Sequence, residues 1–274
     1  MVIFLIILAA VLLLLPLCFF PAIRGRAGHP GLEVLHKYRY AHRGLHSEGI
    51  PENSLAAFKA AKEAGYGVEL DVHMAADGAL VVIHDSTLNR VTGEAGTVED
   101  MTLEQLRHCR LCGTEEGIPE FGEALKLFDG KVPLVVELKP LRNNHPALCK
   151  AACEMMDRYK GPYCMESFDP RCIRWLKKNR PDIIRGQLSE NYFEEDRPKM
   201  PWILRFVLTH NLLNFLTKPD FVAYRFADRN CTPSNRLCMK RIAGVSWTLE
   251  NEEEYRQATS EGWIPIFEGF LPKT

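Results

Sequence analysis

From residue 38 onward, apolar runs of four to six residues alternate with stretches of helical character. That rhythm restricts the fold to a largely parallel α/β sheet with crossover helices and argues against a sandwich or a helical bundle. The candidate strands are Tyr38 to Ala41, Gly67 to Val72, Leu80 to His84, Pro133 to Leu138, Tyr163 to Ser167, Ile183 to Gln187, Asp220 to Tyr224, Val245 to Leu249 and Ile264 to Phe267. Nine candidates exceed by one what an eight-stranded closure uses. Helices fit between many of them: Ser54 can cap Leu55 to Ala64, Pro146 can open a helix running to Tyr159, and Glu252 to Ser260 precedes the last run. The chain has 274 residues, and setting aside an uncharged N-terminal stretch leaves enough for one large core, near the size of a single α/β barrel.

That N-terminal stretch, Val2 to Ile23, is almost wholly Leu, Ile, Val, Phe and Ala. As a helix rising about 1.5 Å per residue it reaches across a ~30 Å hydrocarbon layer. Pro16 and Pro21 place the end of its straight part near Leu15. It lacks the preceding Lys or Arg and the small-residue cleavage site of a secretory signal, so the expectation is an uncleaved single-pass transmembrane anchor. Arg24, Arg26, Lys37 and Arg39 follow it, which by the positive-inside rule puts the large domain in the cytoplasm. The expected division is an anchor over 1–23, a linker over 24–36 and a barrel over 37–274. Nine cysteines, an odd and scattered set, suit reduced thiols, and the Cys109/Cys112 pair reads as loop cysteines because no second pair completes a zinc site. With 34 basic against 35 acidic side chains, no global charge recruits nucleic acid.

Two segments interrupt the rhythm. Ser86 to Pro119 carries Gly93, Gly96, Gly113 and Gly117 with a short helical stretch near Leu103 to Arg107, which predicts an inserted lobe of the kind that roofs a site. Pro201 to Leu216 is apolar around most of its circumference and predicts a buried helix in preference to a membrane-facing one.

Chemistry concentrates at the ends of the early strands. Glu69 and Asp71 are separated by one residue, so the period of two puts both carboxylates on one side; Glu137 and Lys139 repeat the spacing on another strand. Acids at strand ends are either ordinary surface charges or hard oxygen ligands for a divalent cation that neutralises phosphate. His42 and His84 both end an apolar run, where an imidazole is either a hydrogen-bonding residue or a proton-transfer group; two of them beside a carboxylate cluster and Arg43 favour the latter. Arg43 offers a planar fork to phosphate oxygens, and Gly44 lets the backbone pass close to a ligand.

In order along the chain stand His42-Arg43-Gly44, Pro51-Glu52-Asn53-Ser54, Glu69-Leu70-Asp71-Val72, Asp77-Gly78, His84-Asp85, Glu137-Leu138-Lys139 and Trp247-Thr248. The ordered set resembles the glycerophosphodiester phosphodiesterase family over most of the chain after the N-terminal stretch. The resemblance implies a TIM-type (β/α)8 barrel with a small lobe, about 86–119, inserted after the third strand. It implies Glu69, Asp71 and Glu137 as metal ligands, His42 and His84 as acid and base, and Arg43 and Lys139 as phosphate contacts. Oxygen-only ligation favours Mg²⁺ or Ca²⁺ over zinc. Glu52 and Asn53 either support the site from behind or serve as turn and cap residues, and Trp247 is either a wall on the glycerol side or a core aromatic. The family closes with threonine-aspartate and proline after its final strand, whereas this chain has Phe267-Glu268-Gly269-Phe270-Leu271-Pro272, a departure at the rim.

The expected activity is metal-dependent hydrolysis of a glycerophosphodiester to glycerol 3-phosphate and an alcohol. The alternatives are a membrane-tethered enzyme of the lysophospholipase D type acting on a lysophospholipid, and a non-catalytic barrel that binds a phosphate ligand.

Overall fold

The computed structural model describes residues 20–26, 28–194 and 200–273. The expected anchor therefore lies largely outside the described residues, among which no helix is long and apolar enough to cross a membrane.

Eight parallel strands close on themselves: β1 (Tyr40–Ala41), β2 (Gly67–Met74), β4 (Leu134–Leu138), β5 (Tyr163–Ser167), β6 (Arg185–Ser189), β7 (Phe221–Arg225), β8 (Ala243–Leu249) and β9 (Ile264–Phe267), with β1 paired to both β2 and β9. This is a TIM-type barrel. The remaining run, β3 (Leu80–Val82), is the surplus candidate. Strand β2 continues beyond the cylinder, reverses through a turn at Asp77-Gly78 with φ of 86° at the glycine, and β3 runs back antiparallel with Val82 opposite Val72. Its direction returns the chain to the barrel mouth, where Ile83 N–H donates to the Asp71 carbonyl at 3.1 Å.

The period of two sorts side chains between two cores. Val68, Leu70, Val72, Val136 and Leu138 face outward and pack under the surrounding helices. Tyr40, Val135, Cys164, Phe221, Val245 and Ile264 fill the interior, and Leu35 from the helix Leu32–Leu35 belongs to the same cluster. Close packing there requires Gly186, where a Cβ would sit 2.1 Å from the Phe221 ring. The same alternation turns Glu69, Asp71, Glu137 and Glu166 inward above the apolar filling, with Asp71 paired to Glu137 and Glu137 to Glu166 across neighbouring strands.

Sequence signals locate most helices. Ser54 caps Leu55–Glu63, its hydroxyl accepting from Ala57 N–H at 3.1 Å; the later helices run His145–Met156 and Glu252–Ser260. The lobe holds the helices Asn89–Thr92 and Leu103–Leu106 and its own apolar cluster, including Leu88, Val91, Leu106 and Leu111. Residues 24–26 lie against the barrel, where Arg26 pairs with buried Asp220 at 2.5 Å. The expected buried helix from Pro201 to Leu216 is corrected: it is a helix from Trp202 to Thr209 and a shorter one from Asn214 to Thr217, with Trp202, Ile203, Leu204, Phe206 and Phe215 exposed. An all-round apolar circumference marks burial in a core, but this helix has the barrel on one side only.

Candidate active site

Glu69, Asp71 and Glu137 converge: one oxygen from each lies within 4.8 Å of the others, and all three side chains are buried. Burial pushes Glu69 well above the usual carboxylate range, and the neighbouring charges of Asp71, Glu137 and Glu166 push the same way. Glu137 is pushed up to about 7, chiefly by burial. Asp71 goes the other way: burial opposes its charge, but Lys139, His84, Arg43 and the Asn53 amide hold it well below. Crowded, buried carboxylates that resist ionisation are what a divalent cation relieves, and an all-oxygen donor set fits Mg²⁺ or Ca²⁺.

The two histidines reach this cluster from different directions. His42 follows β1, its backbone N–H bonded to the Phe267 carbonyl at 2.9 Å; its Nε2 lies 3.9 Å from Glu69 Oε2 and its Nδ1 2.6 Å from Glu268 Oε2. Burial lowers its pKa, partly offset by Glu268. His84 lies two residues past β3 rather than at the end of a barrel strand, with Nδ1 2.7 Å from Asp85 Oδ1. Burial, with Lys139 and Arg43 nearby, lowers its pKa to about 4 against the pull of Asp71.

The cationic groups interleave with the acids. Lys139 Nζ stands 3.0 Å from Glu137 Oε1 and 3.1 Å from Asp71 Oδ1; burial opposes its charge, but these two acids raise its pKa. Arg43 occupies a tight turn with φ of 54°, followed by Gly44 at 80°, where a Cβ would press to 2.9 Å against Ala57. Its backbone N–H donates to Glu69 at 3.1 Å, its Nε lies 3.4 Å from Asp71 and its Nη1 donates to Glu52 at 2.9 Å. Asn53 Nδ2 donates to Asp71 Oδ2 at 2.8 Å, and Arg90 holds both oxygens of Glu52. Glu52 and Asn53 thus stand behind Arg43 and Asp71. Ser54, their neighbour, takes the helix cap.

A cavity of about 800 Å³ has Arg43, His84, Glu137, Lys139, Phe168 and Trp247 in its wall, and a smaller one that shares Arg43, His84, Glu137, Phe168 and Trp247 is lined by His42, Glu69 and Glu268. Trp247 faces this cavity, its ring meeting Phe168 edge to face at 5.4 Å. The inserted lobe supplies Ser86 to the wall of the larger cavity, and Met200, Leu204 and Leu208 also line it. All ten residues singled out from the sequence therefore gather at one end of the barrel.

Four contributors were not assigned from the sequence. Glu268 and Asp85 hold the two imidazoles, His73 links the lobe to the site through Glu99 at 2.6 Å and the His84 carbonyl at 3.1 Å, and Glu166 adds a fourth buried acid whose Oε2 lacks a hydrogen-bond partner among the described residues. Asp85 stood inside a recognised motif. Glu268 stood at the departure after the last strand and could be paired with His42 only by closing the barrel.

Residues 42–268 match the model of the glycerophosphoryl diester phosphodiesterase family. Human glycerophosphodiester phosphodiesterase 1 is 48% identical over 247 residues, covering 78% of this chain and 72% of the human protein. A glycerophosphodiester phosphodiesterase of Caldanaerobacter subterraneus subsp. tengcongensis is 36% identical over 162 residues, covering 55% of this chain and 65% of that protein. In structure, an Oleispira antarctica phosphodiesterase solved with the product sn-glycerol-3-phosphate superposes with a TM-score of 0.71 at 22% identity, covering 89% of this chain and 95% of that one, a likeness of fold. Because the matched span takes in every barrel strand after β1 and every residue gathered at the mouth, the chain belongs to the glycerophosphoryl diester phosphodiesterase family.

Proposed function

We propose that this chain hydrolyses glycerophosphodiesters to glycerol 3-phosphate and a free alcohol, with His42 and His84 as the proton-transfer pair. The observation that carries the reading is the clustering of Glu69, Asp71 and Glu137 beside two cavities that share Arg43, His84 and Glu137, one also lined by Lys139 and the other by His42 and Glu69. Glu69, Asp71 and Glu137 would hold the divalent cation, which when bound supplies charge neutralisation for the phosphate. Arg43 and Lys139 orient the phosphate oxygens and add positive charge as the pentavalent transition state develops. One imidazole removes the proton of the attacking oxygen, the P–O bond to the alcohol breaks, and the other imidazole gives its proton to the departing oxygen. The attacking oxygen belongs either to water or to the substrate's own 2-hydroxyl by way of a cyclic phosphate; solvent oxygen labelling separates the two.

Residues 1–23 are proposed as a membrane anchor, with the barrel on the cytoplasmic side as the basic residues after it favour. Protease protection in sealed vesicles tests that orientation. A lysophospholipid is the second substrate reading, favoured by the apolar wall of Met200, Leu204 and Leu208 beside the catalytic groups.

The deciding assay incubates the full chain with glycerophosphocholine and Mg²⁺ or Ca²⁺ and measures release of glycerol phosphate. Activity should disappear on chelation, return with added metal, and be absent from His42→Ala and Glu69→Ala. No release from glycerophosphocholine or lysophosphatidylcholine would favour a barrel that binds phosphate without turnover.

A further inference from the structure

An exposed apolar strip lies beside the catalytic cavity. Of nine large hydrophobic side chains exposed among the described residues, five, Trp202, Ile203, Leu204, Phe206 and Phe215, fall in the stretch after β6. Trp202 and Ile203 are 69% and 59% exposed. Trp202, Ile203 and Phe206 share one face at helical spacing, and that face becomes buried at the C-terminal end of the helix, where Thr209 accepts the Tyr192 backbone N–H at 3.1 Å. Contiguous apolar surface of this kind on a soluble fold marks something that covers it.

Three observations name a lipid bilayer as that cover. The uncharged residues at the start of the sequence lead to the Phe215 end of this stretch, beside the start of β7: the Ile23 carbonyl accepts from Asn214 Nδ2 at 3.2 Å and from Cys238 Sγ at 3.5 Å, and Asn214 adjoins exposed Phe215. Basic side chains surround the junction. Lys218 Nζ donates to the Arg24 carbonyl at 3.3 Å, Lys177 Nζ to the Leu216 carbonyl at 2.7 Å, and Arg241 stands 5.7 Å from the centre of the exposed Phe20 ring. Apolar side chains rimmed by Lys and Arg match the boundary between acyl chains and phosphate headgroups. The strip is also continuous with the catalytic cavity, because Leu204 and Leu208 of the same helix line it.

We infer that the stretch from Trp202 to Phe215 is an interfacial element that seats the cavity mouth in the headgroup layer of the bilayer, so that lipid-borne diesters enter without crossing water. The inference rests on the proposed anchor for its orientation and on the proposed hydrolysis for its substrate. It accounts for why a helix at the rim of an active site keeps Trp, Ile and Phe outward: each buried aromatic or aliphatic contact with acyl chains adds to residence at the surface.

The test uses the full chain in phosphatidylcholine vesicles carrying lipids brominated high on the acyl chain. Trp175, Trp247 and Trp263 are half-buried, so Trp202→Phe isolates the exposed emission. Bromolipid should quench the component that Trp202→Phe removes. Ile203→Asp combined with Phe206→Asp should lower turnover of vesicle-borne lysophosphatidylcholine roughly tenfold while water-soluble glycerophosphocholine changes by less than about twofold. Vesicle flotation without quenching of Trp202, as when residues 1–19 or a second copy cover the strip, overturns the inference. Failure to float overturns both the strip and the anchor, and native turnover confined to the soluble diester overturns entry from lipid. Quenching with neither diester hydrolysed supports the docking and overturns the proposed function instead.

Discussion

The two imidazoles at the barrel mouth are held by carboxylates in the same way and from opposite situations. His42 draws its partner, Glu268, from 226 residues away, and among the described residues Glu268 is otherwise hydrogen-bonded to His46, at 3.4 Å. His84 takes its partner from the next residue, and Asp85 is simultaneously bonded to Arg90, which grips Glu52 and through it Arg43. A carboxylate hydrogen-bonded to histidines, with a guanidinium only at longer range, lends more of its negative charge to the imidazolium; one directly paired with a guanidinium mainly fixes orientation. The pKa of His84, lowered to about 4 by burial and by nearby Lys139 and Arg43, fits this division. In the metal-free fold His84 is a neutral imidazole at pH 7, positioned more than charged, whereas at His42 the charge of Glu268 offsets part of the lowering that burial imposes.

The largest effect expected is loss of either ring. His42→Ala and His84→Ala should each lower kcat by about 10²- to 10⁴-fold with cation binding by calorimetry largely kept, and the double variant should fall little further because the rings act as a unit. If one ring proves dispensable, the pairing itself is wrong. Next come the partners. Glu268→Gln keeps an acceptor for His42 Nδ1–H but removes its charge; a loss of roughly 10- to 100-fold is expected, with the His42 limb of the kcat/KM profile displaced to lower pH. Asp85→Asn should cost less than about tenfold and move the profile less, because Arg90 already balances Asp85. Equal displacements would erase the distinction.

A smaller effect concerns folding. The unfolded chain protonates His84 near its ordinary value of 6.5 and the folded site only near 4, so acidification through that window favours the unfolded chain. Stability should therefore fall from pH 6.5 toward 4, and in chelator His84→Asn should show a shallower decline of Tm over that range. An unchanged slope would mean that the neutral ring is not what the native fold requires.

Much of this site was legible because strand periodicity is local. Glu69 and Asp71, or Glu137 and Lys139, share a side whatever the barrel does, and each of the nine apolar runs overlaps a strand. What could not be read was the direction of the surplus run: Leu80 to His84 has the composition of a buried parallel strand, and only the turn at Asp77-Gly78 reverses it. Glu268 was hidden for a different reason, since its meaning depends on β9 lying beside β1. The stretch from Trp202 to Phe215 misled because apolar periodicity measures affinity for a nonpolar phase and does not say which one.

Strand β3 stands outside the closed cylinder, and the chain leaving it returns within reach, with Val82 N–H bonded to the Pro119 carbonyl at 2.9 Å. Beyond His84 and Asp85, the lobe from Ser86 to Ile118 behaves like a cartridge clipped to the rim: it has its own apolar filling and none of its residues completes the cylinder. Exchanging that cartridge for one of different length would leave the eight-strand closure untouched. Substrate preference in this lineage can thus diversify at this port at small risk to foldability.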